Sequence, residues 1–70
     1  MDMQPVTSSN LQAIGYDESY GVLAIEFRAG TIYLFGAVPR RIFDELRLAP
    51  SLGRFFLQHI RGRYVSRRIR

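Results

Sequence analysis

The hydrophobic period of this chain changes once, at Val38-Pro39, and no other feature constrains its fold as much. Before that point the apolar residues come in short β-branched and aromatic runs, as strands prefer. After it, Ile42, Phe43 and Leu46 recur at helical spacing. A chain with that order places its strands first and its helices second.

Three runs read as strands. They are Leu11 to Asp17, Val22 to Arg28, and Thr31 to Gly36. The polar stretch Asp17-Glu18-Ser19-Tyr20-Gly21 separates the first two. Ala29-Gly30 separates the last two and reads as a two-residue hairpin loop. That loop sets a register in which Glu26 faces Tyr33 and Ala24 faces Phe35. Side chains alternate between faces with period two. One face then carries Leu23, Ile25, Phe27, Ile32 and Leu34, with Ile14 and Tyr16. The other carries Ala24, Glu26, Arg28, Tyr33 and Phe35, beside the small Ala13 and Gly15.

Pro39 suits the first turn of a helix, which runs to about Leu48 before Pro50 ends it. Ser51 reads as the N-cap of a second helix. Its apolar stripe is Leu52, Phe55, Phe56, His59 and Ile60, and Gly62 reads as its stop. The expected class is α+β: a three-stranded antiparallel meander followed by two helices packed on one face, in the order β-β-β-α-α. Residues 1–10 read as a polar lead-in, 11–62 as the single domain, and 63–70 as a basic tail. The expected core is Leu23, Ile25, Phe27, Leu34, Phe43, Leu46, Phe56 and Ile60.

Seventy residues make one domain with a small core. A chain of this size buries only about 60% of its unfolded surface. There is no cysteine, so disulfides and thiolate metal sites are ruled out. Tight packing and self-association are the remaining sources of stability. No apolar run approaches the ~18 residues that span a bilayer. Met1-Asp2-Met3-Gln4 lacks the basic start and apolar stretch of a signal peptide. A cytoplasmic protein with no membrane role is expected.

Little in the sequence points to catalysis. His59 is the single histidine, and it falls on the apolar side of a helix, where a half-buried structural residue is expected. Asp44 and Glu45 are adjacent on a helix, so they diverge and pair with Arg40 or Arg41. Asp17 and Glu18 fall in a loop and read as turn formers. The glycines do not form a phosphate-cradling motif. We expect no catalytic residue, no metal, no cofactor and no small-molecule substrate, and read the chain as a binding module, not an enzyme.

Order and spacing of particular residues carry a resemblance. These are Ser8-Ser9, Gly15-Tyr16-Asp17, Leu23, Ile25, Phe27 and Gly30. They continue with Tyr33-Leu34-Phe35, Val38-Pro39, Ala49, Ser51, Gly53, Phe56, Ile60-Arg61 and Tyr64. From about Val6 to Tyr64 the chain resembles the KTSC domain. That short module is found at the C-terminus of some bacterial lysyl-tRNA synthetases and as a stand-alone bacterial protein. The family's central motif is tyrosine-any-tyrosine; here its second position is Phe35, which lacks the hydroxyl. The resemblance implies an RNA-binding role. It brings no aminoacylation, because the chain has none of that machinery.

Charge suggests the same kind of partner. All ten basic side chains are arginine. Residues 1–36 hold one arginine against four acids, net −3, and residues 37–70 hold nine against two, net +7. Arginine presents a planar fork that matches phosphates and stacks on bases. Two surfaces follow as candidates for nucleic acid. One is the sheet face with Tyr33 and Phe35, flanked by Arg28, where exposed aromatics could stack bases. The other is the arginine cover of the second helix and tail, with Arg54, Arg61, Arg67 and Arg68. Two partners stay open: RNA, and a protein or second copy of this chain joined through a sheet face or edge.

Overall fold

The computed structural model describes residues 1–70. Seven elements follow one another. They are β1 (Gln4–Pro5), β2 (Leu11–Asp17), β3 (Val22–Phe27), β4 (Ile32–Phe35), α1 (Arg40–Leu48), α2 (Leu52–His59) and β5 (Ser66–Arg68). The strands form one antiparallel sheet in the order β1-β2-β3-β4-β5. The α+β class and the two successive helices are as the period change implies. The sheet has five strands instead of three, because the lead-in and the tail each add an edge strand.

Neither edge strand has an apolar alternation to announce it. Both are held through backbone pairing and a few side chains. Gln4 lies opposite Ile14 and Pro5 opposite Ala13. On the other edge Ile69 N donates to Ile32 O at 2.9 Å. Arg70 Nη2 reaches Glu26 at 2.8 Å and so ties the tail across β4 to β3.

The β3–β4 hairpin corrects the expected register by one residue. Its loop is three residues, Arg28-Ala29-Gly30. Phe27 N donates to Thr31 O at 2.8 Å, and Gly30 N donates back to Phe27 O at 2.8 Å. Gly30 takes φ +96, the left-handed position that closes three-residue hairpins. Leu23 therefore faces Phe35, Ala24 faces Leu34, Ile25 faces Tyr33 and Glu26 faces Ile32. A one-residue slip moves every side chain of a strand to the other face. Phe35 and Tyr33 thus turn toward the helices, while Ile32 and Leu34 turn away. Phe35 is 4% exposed and belongs to the core; Leu34, expected there, does not.

The core lies between this sheet face and the helices. Leu11, Ile14, Leu23, Ile25 and Phe35 meet Val38, Ile42, Phe43, Leu46, Leu52 and Ile60, with Phe27, Tyr33 and Phe56 packed at its margin. A bulge between Leu11 and Ala13 lets Leu11 join Ile14 on the helix side. α1 turns Ile42, Phe43 and Leu46 inward. Ser51 Oγ accepts from Arg54 N at 3.3 Å and caps α2, as expected of that serine.

The opposite face is covered by residues 1–3. A Cβ at Gly15 would lie 2.8 Å from both Asp2 O and Met3 Sδ, so only glycine admits the chain this close. Ala13 and Ala24 are buried on the same side.

Candidate nucleic-acid interface

The ten arginines divide sharply by what they touch. Arg40 pairs with Glu18 and Asp44, Arg41 with Glu45, Arg47 with Asp44, and Arg70 with Glu26. Arg40 also lies 5.9 Å from the Tyr16 ring centre and 5.6 Å from that of Phe43. Those two rings stack on each other at 5.2 Å. The Tyr16 hydroxyl donates to Val38 O at 2.6 Å. This cluster fastens α1 to the β2–β3 end of the sheet. Burial pushes the Asp44 carboxyl up, but hydrogen bonds and charge from Arg40 and Arg47 outweigh it, and the group ends below its usual range. Its bond and charge in turn raise the Arg40 guanidinium.

The acids are spent on that side. Arg54, Arg61, Arg63, Arg67 and Arg68 make no ion pair, and all five are exposed. Arg28 is held by neutral groups: its Nε donates to Ser8 O at 2.6 Å and its Nη1 to Gln12 Oε1 at 3.1 Å. Unneutralised charge therefore gathers on α2, the loop after it and β5.

Two hollows that share Phe56 as a wall form the two lobes of a groove between α2 and the sheet. The first lobe, about 300 Å³, is lined by Leu11, Phe27, Gly53, Phe56 and Leu57 with Ser9, Asn10, Arg28 and Ala29 at its mouth. The second, about 240 Å³, is lined by Tyr33, Phe35 and Phe56 with Arg61, Gly62 and Ser66. Phe56 stands between them, edge-on to Phe27 at 5.4 Å and to Phe35 at 5.7 Å. Tyr33 meets Phe27 edge-on at 6.2 Å. No carboxylate lines either lobe. α2 ends earlier than expected, with Ile60 as its C-cap, and Gly62, at φ +76, lies in the turn that leads toward β5.

Residues 7–64 match the model of the KTSC domain family. The chain belongs to that family. A KTSC domain protein of known crystal structure from Yersinia pestis superposes with a TM-score of 0.96 at 39% identity, covering 99% of this chain and 97% of that one. A protein of Tsukamurella paurometabola is 44% identical over 62 residues, 89% of this chain and 92% of the relative. A lysine–tRNA ligase of Nostoc is 36% identical over 56 residues, but those make up only 10% of the ligase. The family resemblance drawn from the residues is thus confirmed. It names no catalytic reaction for this domain.

The KTSC fold brings only some of the expected site residues together. Tyr33 and Arg61 line the second lobe, and Arg68, opposite Tyr33 on β5, leaves the sheet on the same face. Arg67 lies opposite Leu34 and leaves by the other face. Arg54 sits with Ala49, Pro50, Ser51, Phe55 and Gln58 on the outer side of α2, apart from the groove. Arg28 stands at the first lobe, with its guanidinium already engaged. Phe35 is a correction: it floors the second lobe from within the core and has no free face on which a base could stack. The second position of the tyrosine-any-tyrosine motif is therefore an interior position here, which a phenylalanine fills well.

Sequence reasoning missed Asn10, Phe27, Phe56 and Leu57 as groove residues. Phe27 and Phe56 were read as core, and they are core on one side only. Asn10 read as part of a turn. Only the three-residue hairpin loop, which brings Tyr33 to the face that Phe27 already occupies, could have signalled the groove. His59 stacks near Phe55 at 4.6 Å and lies outside both lobes. No group of three or more His, Asp or Glu residues is placed to hold a metal ion, and no helix is long and apolar enough to cross a membrane.

Proposed function

We propose that this KTSC domain binds single-stranded RNA in the groove between α2 and the sheet. One observation carries the reading: the partly buried rings of Phe27, Tyr33 and Phe56 line lobes that hold no carboxylate, with Arg61 in the second lobe and Arg68 opposite Tyr33 on β5, neither of them in an ion pair. Aromatic rings offer unpaired bases a stacking or edge contact, and arginines offer their phosphates a partner. A base stacked and paired inside a duplex offers these rings no free face, so duplex RNA would touch only the arginines. The similarity to a segment of lysine–tRNA ligases favours RNA over DNA. The role proposed is recognition, without catalysis, in the cytoplasm.

The test is fluorescence anisotropy with a labelled single-stranded octaribonucleotide at near-physiological salt. Unlabelled single strand should compete for the protein, and the same length of duplex should compete at least tenfold less well. Equal competition by duplex would leave only charge attraction, and no binding would end the reading.

A second reading, docking of a protein or of a second copy, is favoured by the corner between the helices. Leu48 is 73% exposed there, beside Ala49, Pro50 and Phe55. Light scattering distinguishes the two: a dimer dissociated by Leu48→Glu supports docking, and a monomer at all concentrations removes the second-copy form of it.

A further inference from the structure

The two lobes differ in polar equipment. The second offers Arg61, the Ser66 hydroxyl and a backbone turn at Gly62. The first offers a side-chain amide. Asn10 stands at its mouth, and its amide makes no hydrogen bond within the protein, although its backbone is fixed: Asn10 O accepts from Arg28 N at 2.9 Å and Asn10 N donates to Ser8 Oγ at 3.3 Å. An amide held by its backbone and unspent at its tip is a group available to a ligand. It carries one acceptor and two donors.

Gly53 lines the same lobe, next to the Asn10 amide. It is the second residue of α2, where glycine costs up to about 1 kcal/mol relative to alanine. Its φ is not in the left-handed region, so no backbone demand accounts for it. A Cβ at Gly53 would lie 3.4 Å from Asn10 Nδ2, in ordinary van der Waals contact with the amide.

We propose that the lobe between Asn10, Phe27, Gly53 and Leu57 is the base-reading half of the groove and takes one unpaired adenine, with the Asn10 amide on its edge. This rests on the RNA reading above. An asparagine amide pairs with adenine through one donated and one accepted bond, the pairing most often used to read that base. Guanine is the base that arginine reads. The only arginine at this lobe is Arg28, whose fork is tied to Ser8 O and Gln12 Oε1. The lobe is also the larger of the two, about 300 Å³ against about 240 Å³, as a purine requires. Leu11, Phe27, Phe56 and Leu57 supply apolar walls for the ring.

Two labelled octaribonucleotides test this: one of uridine alone, and one with adenosine at its two central positions. The adenosine-bearing strand should bind the wild-type protein about tenfold more tightly, the discrimination expected of one good paired contact. Asn10→Ala should erase that preference, so that the variant binds the adenosine-bearing and the uridine strand with equal affinity. Its circular dichroism melt should match the wild type, since the amide supports nothing in the fold. Equal affinity of the wild-type protein for both strands overturns the adenine assignment and leaves the RNA reading standing. A preference that survives Asn10→Ala overturns the role of that residue. Failure to bind either strand overturns the RNA reading and this assignment with it.

Discussion

Tyr33 and Arg68 lie directly opposite one another across the β4–β5 pair, and both side chains leave the sheet on the face that α2 covers. Residues so placed have Cβ atoms within about 5.5 Å. A ring at the edge of the core and a guanidinium without a carboxylate are thereby joined by backbone pairing. The tail achieves this as an edge strand, anchored by Arg70 on Glu26.

The charge contributed by the groove should be separable from that of the rest of the surface. For single strands, the logarithm of affinity falls with the logarithm of salt by about 0.7 for each phosphate contact. Replacing Arg61 and Arg68 together by alanine should flatten that slope by about 1.4. Arg67→Ala, on the other face of the same strand, should flatten it by less than a single groove replacement. The slopes are read from anisotropy titrations at four or five salt concentrations.

The two aromatic positions of β4 should behave differently. Phe35→Ala removes a ring buried among Leu23, Val38 and Phe56, and should cost about 3–5 kcal/mol of stability. Tyr33→Leu keeps the apolar contact with Phe27 and should leave the melting temperature within a few degrees. It should still weaken single-strand binding by the ~1–3 kcal/mol typical of one lost base contact. Thermal melts and titrations of both variants check this. A Phe35→Ala protein as stable as wild type would contradict the register.

That register marks where the sequence stopped being informative. The class, the two helices, the Ser51 cap and most of the core followed from spacing, because amphipathic helices and apolar runs advertise themselves. The hairpin did not. Ala29-Gly30 fits a two-residue loop on paper, and only the Phe27–Thr31 and Gly30–Phe27 hydrogen bonds decide for three. Both β4 faces carry apolar residues, so hydrophobicity could not choose between Tyr33 with Phe35 and Ile32 with Leu34. β1 and β5 were illegible for another reason. Backbone pairing and one ion pair hold them, and neither leaves a periodic trace. The pairs within α1 were visible at their i,i+4 spacing, but that Arg70 takes Glu26 and leaves Arg67 and Arg68 without an acid depended on β5 joining the sheet.

Gly15 should prove intolerant of any side chain. Gly15→Ala places a Cβ against Asp2 O and Met3 Sδ and must displace residues 1–3. Overpacking of this kind costs about 1–3 kcal/mol. Hydrogen exchange should rise at the Gln4 and Val6 amides and on the β2 edge beside them. Unchanged exchange there would show that residues 1–3 do not hold this position.

Acid should unfasten α1 through Asp44. Its folded pKa is depressed, so its contribution to stability is complete above the ordinary carboxylate value and is lost as pH falls through the lower folded value. Asp44→Asn should melt earlier than wild type at neutral pH. The two melting temperatures should converge once pH falls below the depressed folded value, where the carboxylate is protonated in both states. A difference that persists at low pH would mean that Asp44 acts through something other than its charge.

The central claim is that unpaired RNA occupies the groove between α2 and the sheet. Its most direct test is a chemical-shift titration of the isotopically labelled protein with a short single-stranded RNA at low and at moderate salt. The account predicts shifts at Asn10, Tyr33, Phe56, Leu57, Arg61 and Arg68 that persist at moderate salt, with Arg54 and Arg67 responding only at low salt. Shifts that vanish everywhere as salt rises, or that gather instead at Leu48, Pro50 and Phe55, would contradict it.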